Sequence, residues 1–331
     1  MKAVKPLAIG AMLAIGVPSS AFANNANDEQ ITQTAQSVLS QAGLTDRITG
    51  IKLSVMAGMR ELQLANGATF SINDALSEII SGKLEKNPSP ITPIDPALMA
   101  DQPVGTPISD QYQQALLANM TALPNLTKNS QFFHTDLSNW LWGMAGNGGV
   151  PFLVSKDGKY FGDASFGKIQ NGKLTLSDHL FVPAKNRQIL NTLPADAMAV
   201  YPAKGKQRAV LYVATDIHCP YCRLLHQNIH RYNAQGITVK AIGYPVYDES
   251  VVPMRQIWCE TDNAKRATLL TAAMKGIFTK DQSCQSDTPL KTINDTAALE
   301  ILATPAIFND KGELFMGDFA DLSAVEQFLG M

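Results

Sequence analysis

The feature that most constrains this chain is a Cys-Pro-Tyr-Cys motif at residues 219–222. Residues 209–215, just before the motif, are apolar and β-branched, which predicts a buried strand. Residues 220–233 show the apolar spacing of a helix. Pro220 suits the first turn of that helix, because its missing N–H would have had no partner there. The motif therefore joins a strand to a helix and sets two cysteines at the helix start.

The helix start gives the two cysteines different predicted roles. Unpaired backbone N–H groups and the positive end of the helix dipole favour an anion there, so we expect Cys219 to be an exposed, attacking thiolate. Cys222 is close enough to form a strained, reducible disulfide with it. We expect Cys222 to be more buried and to act as the resolving thiol, with Pro220 and Tyr221 completing the motif.

A Cys-x-x-Cys pair is also half of a zinc site, which needs two further ligands. Cys259 and Cys284 are separated by 24 residues and not by the two to four that such sites favour. His226 and His230 offer an i, i+4 pair on the helix of Cys222, but they are interpreted as part of a solvated helix face. We therefore expect no metal, and the thiol chemistry of the motif requires no organic cofactor.

Cys259 and Cys284 are interpreted as a structural pair. A bridge between them closes a loop of about 25 residues, which the chain-entropy treatment values at roughly 3.5 kcal/mol. The alternative is a second redox relay. Neither cysteine has the close spacing or the helix-start position that such a relay requires.

The first 23 residues have the pattern of a secretory signal. Lys2 and Lys5 precede the apolar run Leu7 to Val17, and Ala21-Phe22-Ala23 is the small-x-small pattern that a signal peptidase cuts after. The alternative, a membrane anchor, needs about 20 apolar residues where this run has about 11. An exported chain enters an oxidising compartment, where an even number of cysteines first suggests disulfides.

The charge balance argues against polyanionic partners. Loss of the signal removes two of the 27 basic residues and none of the 29 acidic ones, which leaves a formal charge of −4. We therefore expect no nucleic-acid partner and no attraction to an anionic membrane. Stable membrane insertion is not expected either, since no later stretch of the chain is long and apolar enough.

The chain after the signal divides into three predicted parts. An α+β domain occupies residues 24–183, a linker residues 184–208, and a second domain residues 209–331. Six prolines between Pro88 and Pro107 deny a regular helix or an internal strand to that stretch, and we place an insertion at about 74–149.

Two further signals lie in the first domain. Asn66-Gly67 between apolar residues predicts a type I′ hairpin. An aromatic patch is defined by Phe132, Phe133, Trp140 and Trp142. It is interpreted as a small local core, and a surface for a partner or substrate is the alternative.

The second domain shows the order strand, helix, strand, hairpin and helix, with a helical insertion near residues 250–300. This order resembles thioredoxin. Thr304-Pro305 precedes the predicted strand at 306–309, the point at which thioredoxin-like folds place a cis proline facing the reactive sulfur. The resemblance implies that Thr304 and Pro305 bind the substrate chain.

Several runs of this domain together resemble the periplasmic disulfide isomerases DsbC and DsbG. They are Thr215 to Cys222, Tyr232 to Val239, Ile257-Trp258-Cys259 and Thr304-Pro305-Ala306. The resemblance implies a redox pair at Cys219 and Cys222, a structural disulfide between Cys259 and Cys284, and a cis proline at Pro305. The N-terminal half resembles the dimerisation domain of that family more loosely, which implies a homodimer.

The predicted fold class is α/β, a thioredoxin-like catalytic domain with a helical insertion, preceded by an α+β dimerisation-like domain. The resemblance implies a periplasmic disulfide isomerase or reductase. Its partners would be exported client proteins with disulfides or oxidised cysteines, and a DsbD-like membrane reductase that keeps it reduced.

Two alternatives to this function stay open. The Pro-Tyr dipeptide is also compatible with a dithiol oxidant, because redox potential decides the direction of exchange. A chaperone-like binding module with secondary redox activity is the alternative from another class, and the aromatic patch is its support in the sequence.

Overall fold

The structure is a computed structural model that describes residues 26–123, 125–146, 149–278 and 283–331. The predicted signal, residues 1–23, lies outside the described residues. The helices of the described part are α1 (Ala26–Gln41), α2 (Asp110–Ala118), α3 (Ser177–Thr192), α4 (Pro220–Ala234), α5 (Asp248–Ile257), α6 (Asn263–Met274), α7 (Thr288–Asp295) and α8 (Leu322–Phe328). Within that part, none of them is both long enough and apolar enough to cross a membrane.

The strands of the same part form three sheets. They are β1 (Ile48–Leu53), β2 (Met59–Leu64), β3 (Thr69–Asn73), β4 (Glu78–Ser81), β5 (Glu85–Lys86), β6 (Gln131–His134), β7 (Trp140–Met144), β8 (Pro151–Ser155), β9 (Tyr160–Asp163), β10 (Phe166–Gln170), β11 (Lys173–Leu176), β12 (Met198–Tyr201), β13 (Ala209–Thr215), β14 (Ile237–Gly243) and β15 (Ala306–Asn309). Two of the sheets belong to the N-terminal half and one to the C-terminal half.

The first sheet is antiparallel, in the order β1-β2-β3-β4-β10-β11. Helix α1 covers one of its faces, because Ala35 and Leu39 recur at helical spacing and present one apolar stripe. They pack in one core with Ile48, Leu62 and Ile72 of the sheet.

The predicted hairpin at Asn66-Gly67 joins β2 to β3, with Leu62 opposite Phe70. The turn type differs from the prediction. Gly67 has a φ of +87° while Asn66 keeps a negative φ, and the Gly67 N–H donates to the Leu64 carbonyl at 3.0 Å. This is a type I turn closed by a left-handed glycine, whereas a type I′ turn needs a positive φ at both central residues.

The second sheet, in the order β5-β9-β8-β7-β6, interrupts the first sheet between β4 and β10. The predicted insertion at about 74–149 therefore has different limits. Strand β4 pairs with β3 and β10 and belongs to the first sheet. Strands β8 and β9 pair with each other and with β7 and β5 in the second sheet.

The aromatic patch lies inside the N-terminal half. Phe132, Phe133, Trp140 and Trp142 are all buried. The Trp142 ring lies 6.1 Å from that of Phe133 and 5.7 Å from that of Phe181 on α3, measured between ring centroids. These side chains form core, and the alternative of a partner-contact surface is wrong for them.

The third sheet has the order β12-β14-β13-β15. Strands β13 and β14 are parallel and joined through α4, and β15 pairs antiparallel with β13. The apolar face of α4 packs on this sheet through Leu225, Ile229 and Tyr232. Helices α5, α6 and α7 lie between β14 and β15 in the chain, as the helical insertion predicted near 250–300. The prediction of a thioredoxin-like α/β domain is confirmed.

The predicted linker at 184–208 is only partly a linker. Helix α3 continues into it as far as Thr192, and β12 lies within it as an edge strand, with Met198 opposite Ile242 of β14. Pro194 and Pro202 bracket this short strand, which is why the stretch resembles a connector in the sequence. The third sheet therefore begins before residue 209.

One apolar core joins the two halves of the molecule. Phe181 and Leu190 of α3 pack in it together with Trp142 of the second sheet and with Tyr212 and Phe308 of the third. The C-terminal sheet is therefore packed against the N-terminal half through α3, and α3 is part of the core.

Candidate active site

Cys219 and Cys222 lie where the motif predicts, at the start of α4. Cys219 is the N-cap residue, Pro220 is the first residue of the helix, and both cysteines are free thiols. The exposure differs from the prediction, because Cys219 is only 3% exposed and Cys222 is fully buried. The loop before β15 accounts for this, since the Cys219 Sγ lies 3.1 Å from the carbonyl oxygen of Thr304.

The surroundings of Cys219 favour its thiolate. A hydrogen bond with the Cys222 side chain is the largest influence, and together with further donors it lowers the pKa of Cys219 to about 5 although burial acts the other way. The further donors are the Thr304 side chain and the backbone N–H groups of Tyr221 and Cys222. These backbone groups are the unpaired donors of the first turn of α4, as the sequence argument requires.

Cys222 has the opposite character. Burial raises its pKa far above the usual range, and the neighbouring Cys219 raises it further. Two groups act in the other direction, the backbone N–H of Asp216, which lies 3.5 Å from the Cys222 Sγ, and the Thr215 side chain. The pair therefore has one sulfur that ionises readily and one that keeps its proton.

Thr304 and Pro305 stand against Cys219 and are joined by a cis peptide bond. A groove of about 410 Å³ begins at this loop, and Tyr221, Leu302, Pro305 and Met316 are among the residues that line it. Leu302 is 89% exposed and Met316 85% exposed, so apolar side chains are open to solvent beside the reactive sulfur. Such a surface can hold an extended, partly apolar segment of another chain.

The Asp216 carboxylate holds the loops around the cysteines and was not singled out from the sequence. It is fully buried and accepts backbone N–H groups from His218 at 2.7 Å, Val246 at 2.6 Å and Tyr247 at 3.1 Å. The Ser250 hydroxyl also donates to it. The only sequence signal is an aspartate directly after a buried strand. Apart from His218, its partners lie 30 to 34 residues later in the chain.

Cys259 and Cys284 form a disulfide with a Cα–Cα distance of 6.2 Å. The bridge ties the end of α5 to the segment before α7. Arg255 ties the same two segments, because its Nε donates to the Ser286 carbonyl at 3.1 Å and its guanidinium pairs with Asp287.

The two histidines of α4 differ in their surroundings. His230 is exposed, as predicted, but His226 is directed into the protein, and its ring meets that of Tyr201 edge-on at 5.7 Å between centroids. Burial lowers the pKa of His226 to about 4. The prediction of a solvated helix face is therefore wrong for His226.

Comparison with known proteins gives one family. Residues 194–319 match a family described as a thioredoxin-like domain. Three curated relatives are each named thiol:disulfide interchange protein DsbC. They come from Dickeya dadantii (32% identity, 50% of this chain, 66% of the relative), Haemophilus influenzae (31%, 50% and 69%) and Escherichia coli strain K12 (32%, 52% and 69%). The match therefore spans about two thirds of each relative.

Two solved structures are also similar. Helicobacter pylori DsbG is 13% identical, with a TM-score of 0.33, over 85% of this chain and 99% of that chain. A periplasmic thioredoxin-like protein from Salmonella enterica serovar Typhimurium is 20% identical, with a TM-score of 0.36, over 44% of this chain and 97% of that chain. On the sequence matches to the curated relatives, the chain belongs to the family of the thiol:disulfide interchange protein DsbC.

Proposed function

We propose that this protein is a disulfide isomerase or reductase of exported proteins and that Cys219 is its attacking sulfur. The observation that carries the proposal is the placement of two free thiols at the start of α4, where hydrogen bonds lower the pKa of Cys219 to about 5 and burial raises that of Cys222. The thiolate is the nucleophile in disulfide exchange. At neutral pH one sulfur is thus ready to attack while the other stays protonated.

The first step joins enzyme and client. The Cys219 thiolate attacks one sulfur of a client disulfide, a Cys219–client bond forms, and the client disulfide breaks. The other client sulfur leaves as a thiolate. Thr304, Pro305 and the groove with Leu302 and Met316 are proposed to hold the client segment during this step.

The mixed disulfide then has two outcomes. In isomerisation, another client thiolate attacks the client sulfur, a new client disulfide forms, and Cys219 returns as a thiolate with no net gain of electrons. In reduction, Cys222 attacks Cys219, the Cys219–Cys222 disulfide forms, and the client departs with both of its thiols reduced. Two electrons then pass from the enzyme dithiol to the client.

The setting of the reaction follows from the same proposal. Reduction consumes the dithiol, so the enzyme needs an electron source, for which a DsbD-like membrane reductase is proposed from the family resemblance. The secretory pattern of residues 1–23 and the DsbC relatives support a periplasmic location. A homodimer built through the N-terminal half is proposed on the same resemblance. Light scattering tests it, because a dimer has twice the mass of one chain, which is 35.7 kDa with residues 1–23 included.

A dithiol oxidant is the second candidate, and one observation favours it. A low pKa at the attacking cysteine stabilises the reduced form, which makes the couple more oxidising. The chaperone-like module is no longer favoured by the aromatic patch, because the side chains of the patch are buried and cannot form a binding surface.

Three assays on the purified protein separate these functions. An isomerase restores activity to scrambled ribonuclease, a reductase precipitates insulin in the presence of dithiothreitol, and an oxidant activates reduced ribonuclease. We expect the first two activities, and we expect Cys219→Ala to abolish both. If Cys219→Ala keeps them, or if only reduced ribonuclease is activated, the proposal fails.

A further inference from the structure

A half-buried histidine on α4, four residues after the resolving cysteine, has no part in the exchange steps above. The Nδ1 of His226 is inaccessible to solvent and finds no hydrogen-bond partner among the described residues. Leaving a buried polar atom unpaired costs about 1–3 kcal/mol. A leucine or phenylalanine at this place would pack against Tyr201 without that cost. Packing alone therefore does not explain why residue 226 is a histidine.

The other ring nitrogen of His226 contacts a residue that adjoins Cys222. Its Nε2 lies 3.5 Å from the hydroxyl oxygen of Thr215, the last residue of β13. Thr215 is fully buried. Its side chain is one of the groups whose hydrogen bonding lowers the pKa of Cys222. The three side chains form one continuous path from the imidazole to the sulfur.

The direction of the hydrogen bonds follows from the donors available. A threonine hydroxyl has one proton, and a thiolate can only accept. When Thr215 donates to an ionised Cys222, its oxygen must therefore accept, and the group in reach is the N–H at Nε2 of His226. Neutral imidazole carries one proton, so the isolated Nδ1 is then an acceptor without a partner.

We propose that His226 and Thr215 form a hydrogen-bond relay that stabilises the Cys222 thiolate during the resolving step. The inference rests on the proposed exchange reaction. In this step the S–H bond of Cys222 and the Cys219–client bond break, and the Cys219–Cys222 bond forms. The proton of Cys222 passes to the departing client sulfur, so the relay needs no added reactant.

His226 acts in this relay as a neutral positioning residue. With a pKa lowered to about 4 by burial, the imidazole is uncharged at neutral pH, and the pH dependence of the step belongs to Cys222. Other titratable groups facing the cysteine pair or the imidazole come from several elements. They are Cys219 at the start of α4, Asp216 after β13, Tyr247 before α5 and Tyr201 on β12.

The relay explains how a buried thiol can ionise. Burial raises the pKa of Cys222 most, and the neighbouring Cys219 raises it further. The backbone N–H of Asp216 stabilises the thiolate only weakly, because it lies 3.5 Å from the sulfur. Hydrogen bonds in series polarise one another, so a hydroxyl that accepts from an imidazole becomes a better donor. Removing either member of the relay should therefore slow resolution without affecting the attack by Cys219.

The test follows the reaction of the full-length reduced protein with a chromogenic aromatic disulfide in a stopped-flow instrument. The fast phase reports attack by Cys219, and the slow phase reports release of the second chromophore by Cys222. We compare His226→Phe and Thr215→Val with Thr215→Ser, which keeps the hydroxyl, and with His230→Phe on the exposed face of the same helix. Each variant is followed across pH.

We expect His226→Phe and Thr215→Val to slow the second phase about tenfold and to shift its pH profile upward by about one unit, which is the same change in free energy. Thr215→Ser and His230→Phe should stay within about twofold of the unaltered protein. If the second phase of His226→Phe keeps its rate and its pH profile, the relay is wrong while the exchange reaction stands. If the unaltered protein shows no fast phase, the proposed function itself fails.

A second measurement needs no variant. Nitrogen-15 NMR of the unaltered protein distinguishes the two neutral tautomers of His226, and we expect the proton on Nε2. A proton on Nδ1 would overturn the relay even if the variants at positions 215 and 226 did not fold.

Discussion

At the scale of single residues, the first turn of α4 sets the reactivity of the cysteine pair. The roles proposed for Cys219 and Cys222 follow from the motif, because the donors at a helix start are local in sequence. The burial of Cys219 does not follow from it. That depends on Thr304, which lies 85 residues later and reaches the sulfur only in the folded chain.

The first prediction concerns the titration of Cys219 in the reduced protein. Thiolate absorbance should show a midpoint near 5, and Cys222→Ala should raise it, because the hydrogen bond with Cys222 is the largest cause of the lowering. The rate of attack should fall as pH falls through that midpoint. Since the folded pKa lies below the usual 9.0, the stabilisation of the reduced fold is complete above about pH 9 and is lost as pH falls towards 5. A midpoint near 9 in the unaltered protein would contradict this.

The second prediction concerns Asp216. The buried carboxylate of Asp216 accepts hydrogen bonds from several donors, among them the N–H groups of Val246 and Tyr247. Asparagine would place an NH₂ group, itself a donor, at one of the two carboxylate oxygens, so that some of these donors would lose their acceptor. Asp216→Asn should lower the free energy of unfolding by about 3 kcal/mol, measured by urea denaturation. The exposed Asp310→Asn is the matched control and should change it by less than about 0.5 kcal/mol. Equal effects of the two substitutions would show that the Asp216 network does not stabilise the fold.

At the scale of elements, local patterns predict α4, β13 and β14 but miss β12 and the limits of the insertion. Helix α4 has its own apolar spacing and its own start signal. Strand β12 is short, lies between Pro194 and Pro202, and is recognisable only through its pairing with β14. The limits of the second sheet depend on the pairing of β4 with β10, which lie on either side of the inserted segment. A local sequence pattern cannot predict a pairing between strands so far apart in the chain.

The third prediction concerns the bridge between α5 and α7. The double variant Cys259→Ala, Cys284→Ala should lower the free energy of unfolding by about 3.5 kcal/mol, because the bridge closes a loop of 25 residues in the unfolded chain. The fast reaction of Cys219 with a chromogenic disulfide should stay within about twofold. Loss of that reaction in a folded double variant would favour the second redox relay over a structural bridge.

At the scale of the whole molecule, the two halves share a core that the sequence does not reveal. Trp142 of the N-terminal half and Phe308 of the C-terminal half belong to this shared core. From the sequence, each of these apolar residues is equally compatible with a separate core in its own half. The existence of two units is predictable from composition and motifs. Their packing is not, because it depends on which apolar faces meet.

The fourth prediction concerns the C-terminal fragment 194–331. The isolated fragment would expose Tyr212, Leu299 and Phe308, which pack in the shared core of the full chain. We expect the fragment to retain the fast attack by Cys219, to bind a hydrophobic dye, and to melt at least about 10 °C below the full chain, since each such side chain contributes about 1.5–3 kcal/mol when buried. An equal melting temperature without dye binding would show that the shared core adds nothing to stability.

The measurement that tests the central claim most directly is the capture of a client in a mixed disulfide. Reduced Cys222→Ala and Cys219→Ala proteins are each incubated with scrambled ribonuclease, quenched with acid, and mapped by mass spectrometry. With Cys219 as the attacking sulfur, the Cys222→Ala protein should carry ribonuclease on Cys219, and the Cys219→Ala protein should carry none. Capture by Cys222 in the Cys219→Ala protein to the same extent would contradict the assignment of attacking and resolving sulfurs.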